Sequence, residues 1–141
     1  MYDRILLPTD GSDATNRAVE QAVGLARETG AELHVLFVVE DIPYAPEMMD
    51  DTVEKQLREI GEEALEKIRE RADEAGVEVV ADIREGAPHT AILEYADEAG
   101  VDAIVMGTHG RSGLDRYLLG SVTERVVRTA EIPVLTVRME E

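Results

Sequence analysis

The stretch Val101-Asp-Ala-Ile-Val-Met-Gly-Thr-His-Gly-Arg-Ser-Gly-Leu-Asp-Arg-Tyr-Leu-Leu-Gly-Ser-Val-Thr123 decides how the chain is read. Asp102 to Met106 is an apolar run (Ala103, Ile104, Val105) too short for a helix and suited to a strand covered on both faces. Leu118, Leu119, Val122, Val126 and Val127 then recur at helical spacing. Between them lie the glycines, at the C-terminal end of the strand. A strand, a glycine loop and a helix in that order form one unit of a parallel sheet.

The same unit repeats on either side. The first strand is Arg4 to Pro8, around Ile5, Leu6 and Leu7. The first helix follows Ser12, a plausible N-cap, with Ala18, Ala22, Leu25 and Ala26 on its apolar face. Glu32 to Val39 is nearly all apolar and reads as the second strand. Residues 40 to 50 are a loop with Pro43 and Pro46. The second helix runs from about Asp51 to Ala75, with Val53, Leu57, Ile60, Ala64, Ile68 and Ala72 on one face. Glu54–Arg58 and Glu63–Lys67 add ion pairs at helical spacing. Val77 to Ile83, broken by Glu78 and Asp82, reads as an edge strand. Pro88 opens a third helix, which runs to about Ala99. Ile132 to Val137 is the fifth strand. Gly30, Gly76 and Gly100 each end a helix and lead into a strand. No linker, repeat or low-complexity tract divides residues 1–141, so a single domain is expected: α/β, a five-stranded parallel sheet with helices on both faces.

Charge narrows the function. The chain carries 31 acidic and 14 basic residues, a net charge of −17. Only Lys55 and Lys67 are lysines. An acidic surface disfavours nucleic acid and anionic membranes, which are polyanions themselves. Lysine depletion favours a halophile, whose salt shortens the Debye length to about 3 Å near 1 M; an acidic mesophile protein is the alternative. Residues 107–138 are different, with five basic side chains (Arg111, Arg116, Arg125, Arg128, Arg138) against three acidic ones. An anion would settle there. The chain has no cysteine, which excludes disulfides and thiolate metal sites. Its three histidines, His34, His89 and His109, are too scattered for a metal site. No apolar run approaches the ~20 residues of a membrane span, and the opening residues have no signal-peptide layout. A cytoplasmic location is expected.

Ligands of parallel sheets bind off the C-terminal strand ends, where the strand order reverses. Glycines there let backbone N–H groups approach a ligand, and a following helix N-terminus favours anions. The loop from Gly107 to Gly120-Ser121 therefore suits phosphate, although glycines that merely turn the chain would look similar. The spacing of Gly107, Gly110 and Gly120-Ser121 resembles the ATP-binding motif of the universal stress protein family. The resemblance spans nearly the whole chain: Arg4-Ile-Leu-Leu-Pro-Thr-Asp10, Gly86-Ala-Pro-His89, Val101 to Gly107, and Ile132-Pro-Val-Leu-Thr-Val137 match family segments in order.

That resemblance implies a strand order of 3-2-1-4-5 and a Rossmann-like, adenine nucleotide alpha hydrolase-like fold. It implies phosphate contacts at Gly110, Gly120, Ser121 and Val122, with Thr123 following. Asp10 would lie beside ribose and phosphates, Pro8 and Thr9 would shape its loop, and Val38 would touch adenine. Met106 and Gly107 would line the same pocket. ATP is the implied ligand, and magnesium bound with it would meet Asp10, whose alternative role is to cap the loop. His109 and Arg111 are candidates for phosphate contact, as is Arg116; the alternative for each is a solvated side chain. Met48 and Met49 would cover the pocket or fill a gap. Family members typically form homodimers through the last strand, and Val134, Leu135 and Val137 give that strand an apolar edge in need of cover.

The expected activity is that of a nucleotide-dependent sensor or regulator in the stress response, with a protein partner yet to be named. A slow ATPase or nucleotidyl transferase is the enzymatic alternative. It lacks support: there is no Gly-Lys-Ser/Thr phosphate loop, and no general base with an orienting partner. A nucleotide-free interaction module is the other alternative. A signalling receiver would need a lysine after the fifth strand, where Arg138 stands.

Overall fold

The computed structural model describes residues 2–12, 15–40, 51–108 and 120–138. The strands are β1 Arg4–Thr9, β2 Glu32–Val39, β3 Val79–Glu85, β4 Ala103–Gly107 and β5 Val134–Val137. The helices are α1 Asn16–Thr29, α2 Asp51–Glu74, α3 Pro88–Ala99 and α4 Ser121–Thr129. The sheet has the order β3-β2-β1-β4-β5, and its strand pairs are all parallel. The chain steps outward from β1 through β2 to β3, then returns to the other side of β1 for β4 and β5. The order therefore reverses between β1 and β4.

Period-two alternation sends neighbouring side chains to opposite faces. Ile5, Leu7, Val35, Phe37 and Val105 pack with Ala18, Val19, Ala22 and Ala26 of α1 and with Leu65, Ile68 and Ala72 of α2. Leu6, Leu36, Ile104 and Met106 pack on the other face, with Ile92, Tyr95 and Ala96 of α3 and Val126 of α4. The three inner strands β1, β2 and β4 are buried on both sides, which is why they read as continuous apolar runs.

Helix α2 lies close on β2. A Cβ added at Gly61 would come within 2.6 Å of the Phe37 ring. The other face holds a polar cluster. His34 is buried, with Nδ1 2.6 Å from the Tyr95 hydroxyl and Nε2 2.7 Å from Glu32 Oε1. The Arg84 guanidinium lies 4.8 Å from the centre of the Tyr95 ring. It is held by Asp82 at 3.2 Å and Glu98 at 2.7 Å. At the N-terminal ends of the strands, Asp102 Oδ2 accepts the N–H groups of Asp3 (2.8 Å) and Arg4 (3.0 Å), tying the start of β1 to β4.

Several expected boundaries move. β1 extends one residue, to Thr9, and β4 runs Ala103–Gly107. β3 begins at Val79 rather than Val77, because the Val77 N–H is taken by the carbonyl of Ala72, closing the end of α2. β5 begins at Val134 rather than Ile132. Helix α1 is preceded by Thr15 as N-cap, not Ser12. Ser12 instead heads a turn, its N–H bound by Asp10 Oδ1 at 2.9 Å. Val127, expected in the core, is 43% exposed. The Glu54–Arg58 pair forms at 3.6 Å. Among the described residues no Glu63–Lys67 pair accompanies it; both side chains line a cavity between α1 and α2. Leu118, Leu119, Met48, Met49 and the two loop prolines lie outside the described residues.

Candidate functional site

The C-terminal ends of β1, β2 and β4 meet at the point of reversal. Val38 stands one residue from the end of β2 and is partly buried. Being even-numbered on β2, it faces α3 and α4, where it packs against the cluster that contains Met106. Val122, in the first turn of α4, packs against the same cluster. Three residues distant in sequence thus belong to one apolar cluster, in which Met106 is only 5% exposed.

The polar side of the site comes from the turn after β1. Pro8 is buried and pairs in register with Leu36, and Thr9 with Phe37. The odd-numbered Thr9 turns its side chain the other way, toward α1 and α2. Its Oγ1 accepts the N–H of Gly11 at 3.1 Å and lies 3.4 Å from Thr15 Oγ1. Asp10 follows, one step beyond the last β1–β2 pair, and its Oδ1 holds the Ser12 N–H. Gly11 has a φ of 80°, the left-handed region that side chains avoid.

The N-terminus of α4 is pinned to the end of β4. Gly120 is buried, and its N–H donates to the Thr108 carbonyl at 2.7 Å. The Thr123 hydroxyl donates to the Gly107 carbonyl at 2.8 Å. The N-cap of α4 is Gly120, with no side-chain cap, so no side chain from the cap covers the first-turn N–H groups. Ser121 is exposed at that first turn. A helix N-terminus without a side-chain cap, pinned to a strand end, is a place for an anion.

The structure thus brings Pro8, Thr9, Asp10, Val38, Met106, Gly107, Gly120, Ser121, Val122 and Thr123 to one end of the sheet. Within that group, Thr9 and Thr123 direct their hydroxyls inward, to backbone and to Thr15. His109, Gly110, Arg111 and Arg116 lie outside the described residues. Sequence reasoning missed Thr15. Its only signal was a second threonine six residues after Thr9, which says nothing until the turn is folded. Among the described residues no group of three His, Asp or Glu side chains could hold a metal ion. No helix among them is long and apolar enough to cross a membrane.

A five-stranded parallel sheet in this order, with helices on both faces, defines the doubly wound, Rossmann-like class of α/β folds. The chain belongs to the universal stress protein family, whose family model matches residues 1–138. It is 41% identical over 141 residues to the universal stress protein MJ0531 of Methanocaldococcus jannaschii, covering 98% of this chain and 83% of that one. The solved structure of MJ0577, from the same organism, superposes with a TM-score of 0.88 at 32% identity, covering 100% of this chain and 99% of the other. A universal stress protein in complex with cAMP matches with a TM-score of 0.70 at 32% identity, over 97% of each chain. One from Archaeoglobus fulgidus in complex with dAMP matches with a TM-score of 0.71 at 25% identity, covering 99% of this chain and 98% of that one.

Proposed function

We propose that this protein binds an adenine nucleotide, ATP by its glycine motif, and acts as a nucleotide-dependent sensor or regulator in the stress response. The observation that carries the reading is that Val38, Met106 and Val122 belong to one apolar cluster at the end of the sheet where β1 runs into the Asp10 turn and β4 is pinned to the N-terminus of α4. The cluster suits the flat apolar faces of adenine, and the helix terminus suits phosphate. Related proteins solved with cAMP and dAMP support the same ligand class. Gly110 completes the phosphate cradle in this reading, with His109 and Arg111 beside it. A magnesium ion carried in by the nucleotide would find the carboxylate of Asp10, which already holds one backbone N–H. In this reading the residues that meet here bind and orient the nucleotide.

The protein also pairs with a second copy through β5 in this reading. β5 carries no charged residue, and its Leu135 is 44% exposed. The opposite edge, β3, carries Asp82, Arg84 and Glu85, which are held in ion pairs. A charged edge discourages strand pairing and an uncharged one invites it.

The direct test is the ultraviolet spectrum of protein purified in high salt. With no Trp and four Tyr, the chain absorbs weakly at 280 nm. One bound adenine per chain would dominate the 260/280 ratio, and chromatography of acid-released material would identify it. A protein-like ratio, together with no binding of labelled ATP, would overturn the reading. Gly110→Val is expected to abolish binding and leave the fold intact, because a side chain would crowd the phosphate. Normal affinity in folded Gly110→Val would remove Gly110 from the site.

A further inference from the structure

Thr15 occupies the N-cap of α1, where a threonine hydroxyl ordinarily accepts an N–H from the first turn of its own helix. It makes no such bond. Its hydroxyl donates instead to the Ser12 carbonyl at 2.8 Å, which also accepts the Thr15 N–H at 3.2 Å. The same oxygen lies 3.4 Å from Thr9 Oγ1, which in turn accepts the Gly11 N–H. Thr15 is 6% exposed and Thr9 is 7% exposed, so both hydroxyls sit inside the fold. Between the two threonines lies the turn that carries Asp10.

A Cβ at Gly11 would meet Phe37, Ile60 and Ala64 at 3.4 to 3.6 Å. Elsewhere the turn backs on to a cavity of about 110 Å³, walled by Ser12, Thr15, Ile60, Ala64 and Lys67. Where the turn borders this cavity, the hydrogen bonds of Asp10, Thr9 and Thr15 hold its backbone. Helix α1 forgoes its side-chain cap so that Thr15 can supply them.

We infer that Thr15 is a positioning residue for the nucleotide site: its buried hydroxyl, together with that of Thr9, locks the turn that presents Asp10. This rests on the nucleotide reading above and extends it to a residue on the far side of the sheet. Thr15 acts through Ser12, Thr9 and Gly11, whose backbone fixes the Asp10 carboxylate.

The test compares wild type, Thr15→Val and Thr15→Ser by calorimetric titration with ATP, alongside thermal unfolding without nucleotide. Valine keeps the shape and removes the hydroxyl; serine keeps the hydroxyl. Thr15→Val is expected to weaken ATP binding about fivefold to tenfold, the worth of one net hydrogen bond. Thr15→Ser is expected to stay within about twofold of wild type. If Thr15→Val melts earlier but binds ATP as wild type does, the residue is structural only and the inference is overturned. If serine loses as much affinity as valine, the hydroxyl is not the agent, and the inference is again overturned. Should Thr15→Val fail to give a cooperative melt, Thr9→Val, which breaks the same pair from the other side, is expected to weaken binding alike; unchanged affinity there overturns the inference. Wild-type protein that binds no ATP would overturn the nucleotide reading itself, which the wild-type titration alone decides.

Discussion

The Thr123 hydroxyl donates to the carbonyl of Gly107 at 2.8 Å, and this bond joins the first turn of α4 to the end of β4. Thr123 is 4% exposed, and loss of its hydroxyl takes one partner from the part-buried carbonyl of Gly107. Thr123→Val is expected to cost about 1–3 kcal/mol of stability, the range for removing one partner of such a hydrogen bond. Because Ser121 and Val122 belong to the same turn, ATP affinity is expected to fall with it. Urea unfolding measures the first effect and titration the second. A folded variant with wild-type stability would show that the Gly120 N–H bond to Thr108 suffices to pin the helix.

Gly61 shows why a glycine stands inside a helix. An added Cβ would lie 2.6 Å from one Phe37 ring carbon and 2.9 Å from two more, too close for any real contact. In isolation, alanine favours a helix over glycine by about 1 kcal/mol. Here overpacking opposes that gain and typically costs about 1–3 kcal/mol. Gly61→Ala is expected to destabilise the protein overall, and Phe37→Leu in the same background to recover part of the loss. Stability equal to or above wild type in chemical denaturation of Gly61→Ala would show that α2 moves away at little cost.

Tyr95 is the neutral member of the buried cluster on the α3 face. A carboxylate only accepts, so His34 Nε2 carries the hydrogen shared with Glu32, and Nδ1 faces the Tyr95 hydroxyl at 2.6 Å. Tyr95→Phe leaves Nδ1 without that partner and is expected to cost about 1–3 kcal/mol at neutral pH. Burial, joined by the negative charge of Asp82, raises the Tyr95 pKa above its ordinary 10.0. A raised folded-state pKa gives a contribution that is full below pH 10.0 and is lost as the pH climbs through the folded value. The difference between wild type and Tyr95→Phe is therefore expected to narrow above that pH. A gap that stays constant into strong alkali would show that the phenol ionises no less readily in the folded state.

The sequence announced elements where one local rule had no competitor. Glu32–Val39 was found at its full length because Gly30 ends the preceding helix and the run is apolar throughout. Pro88 and Gly100 bracketed α3 in the same way. Errors arose where two rules compete for one residue. Val77 looks like the start of a strand, yet it is the apolar residue that follows a left-handed glycine and bonds back to Ala72. Ser12 looks like an N-cap, yet Asp10 captures its N–H in a turn and moves the cap to Thr15. The apolar cluster of the site was legible only through family resemblance, since nothing local links Val38 to Val122. The Thr9–Thr15 contact was legible by neither route, because it exists only once β1 and α1 are docked.

Asp102 reports on the other end of the sheet. The backbone N–H groups of Asp3 and Arg4 hold its carboxylate, and their hydrogen bonds lower its pKa from the ordinary 3.8. A depressed folded-state pKa contributes stability that is present above the unfolded value and lost as the pH falls through the folded one. Asp102→Asn is expected to be less stable than wild type at neutral pH, with a difference that shrinks below pH 3.8. Acid unfolding of the two proteins side by side measures this. A difference independent of pH would assign the effect to amide geometry and not to charge.

The proposed dimer makes a prediction that distinguishes one sheet edge from the other. Leu135 on β5 and Val80 on β3 are both exposed, at 44% and 39%. Their surroundings differ, since β3 also carries Asp82, Arg84 and Glu85, whereas β5 reads Val-Leu-Thr-Val. Val127, exposed on neighbouring α4, adds apolar surface on the β5 side. A lysine on an edge strand opposes pairing because its charge would be buried in the new sheet. Leu135→Lys is expected to convert a dimer into a monomer of half the mass by light scattering, while Val80→Lys leaves the mass unchanged. Both variants should melt cooperatively, which separates a lost interface from a lost fold. A wild-type protein already monomeric at micromolar concentration would remove β5 as an interface. A dimer broken only by Val80→Lys would place the contact on the charged edge, and ion pairs such as Arg58–Glu85 would then have to open to admit the partner strand.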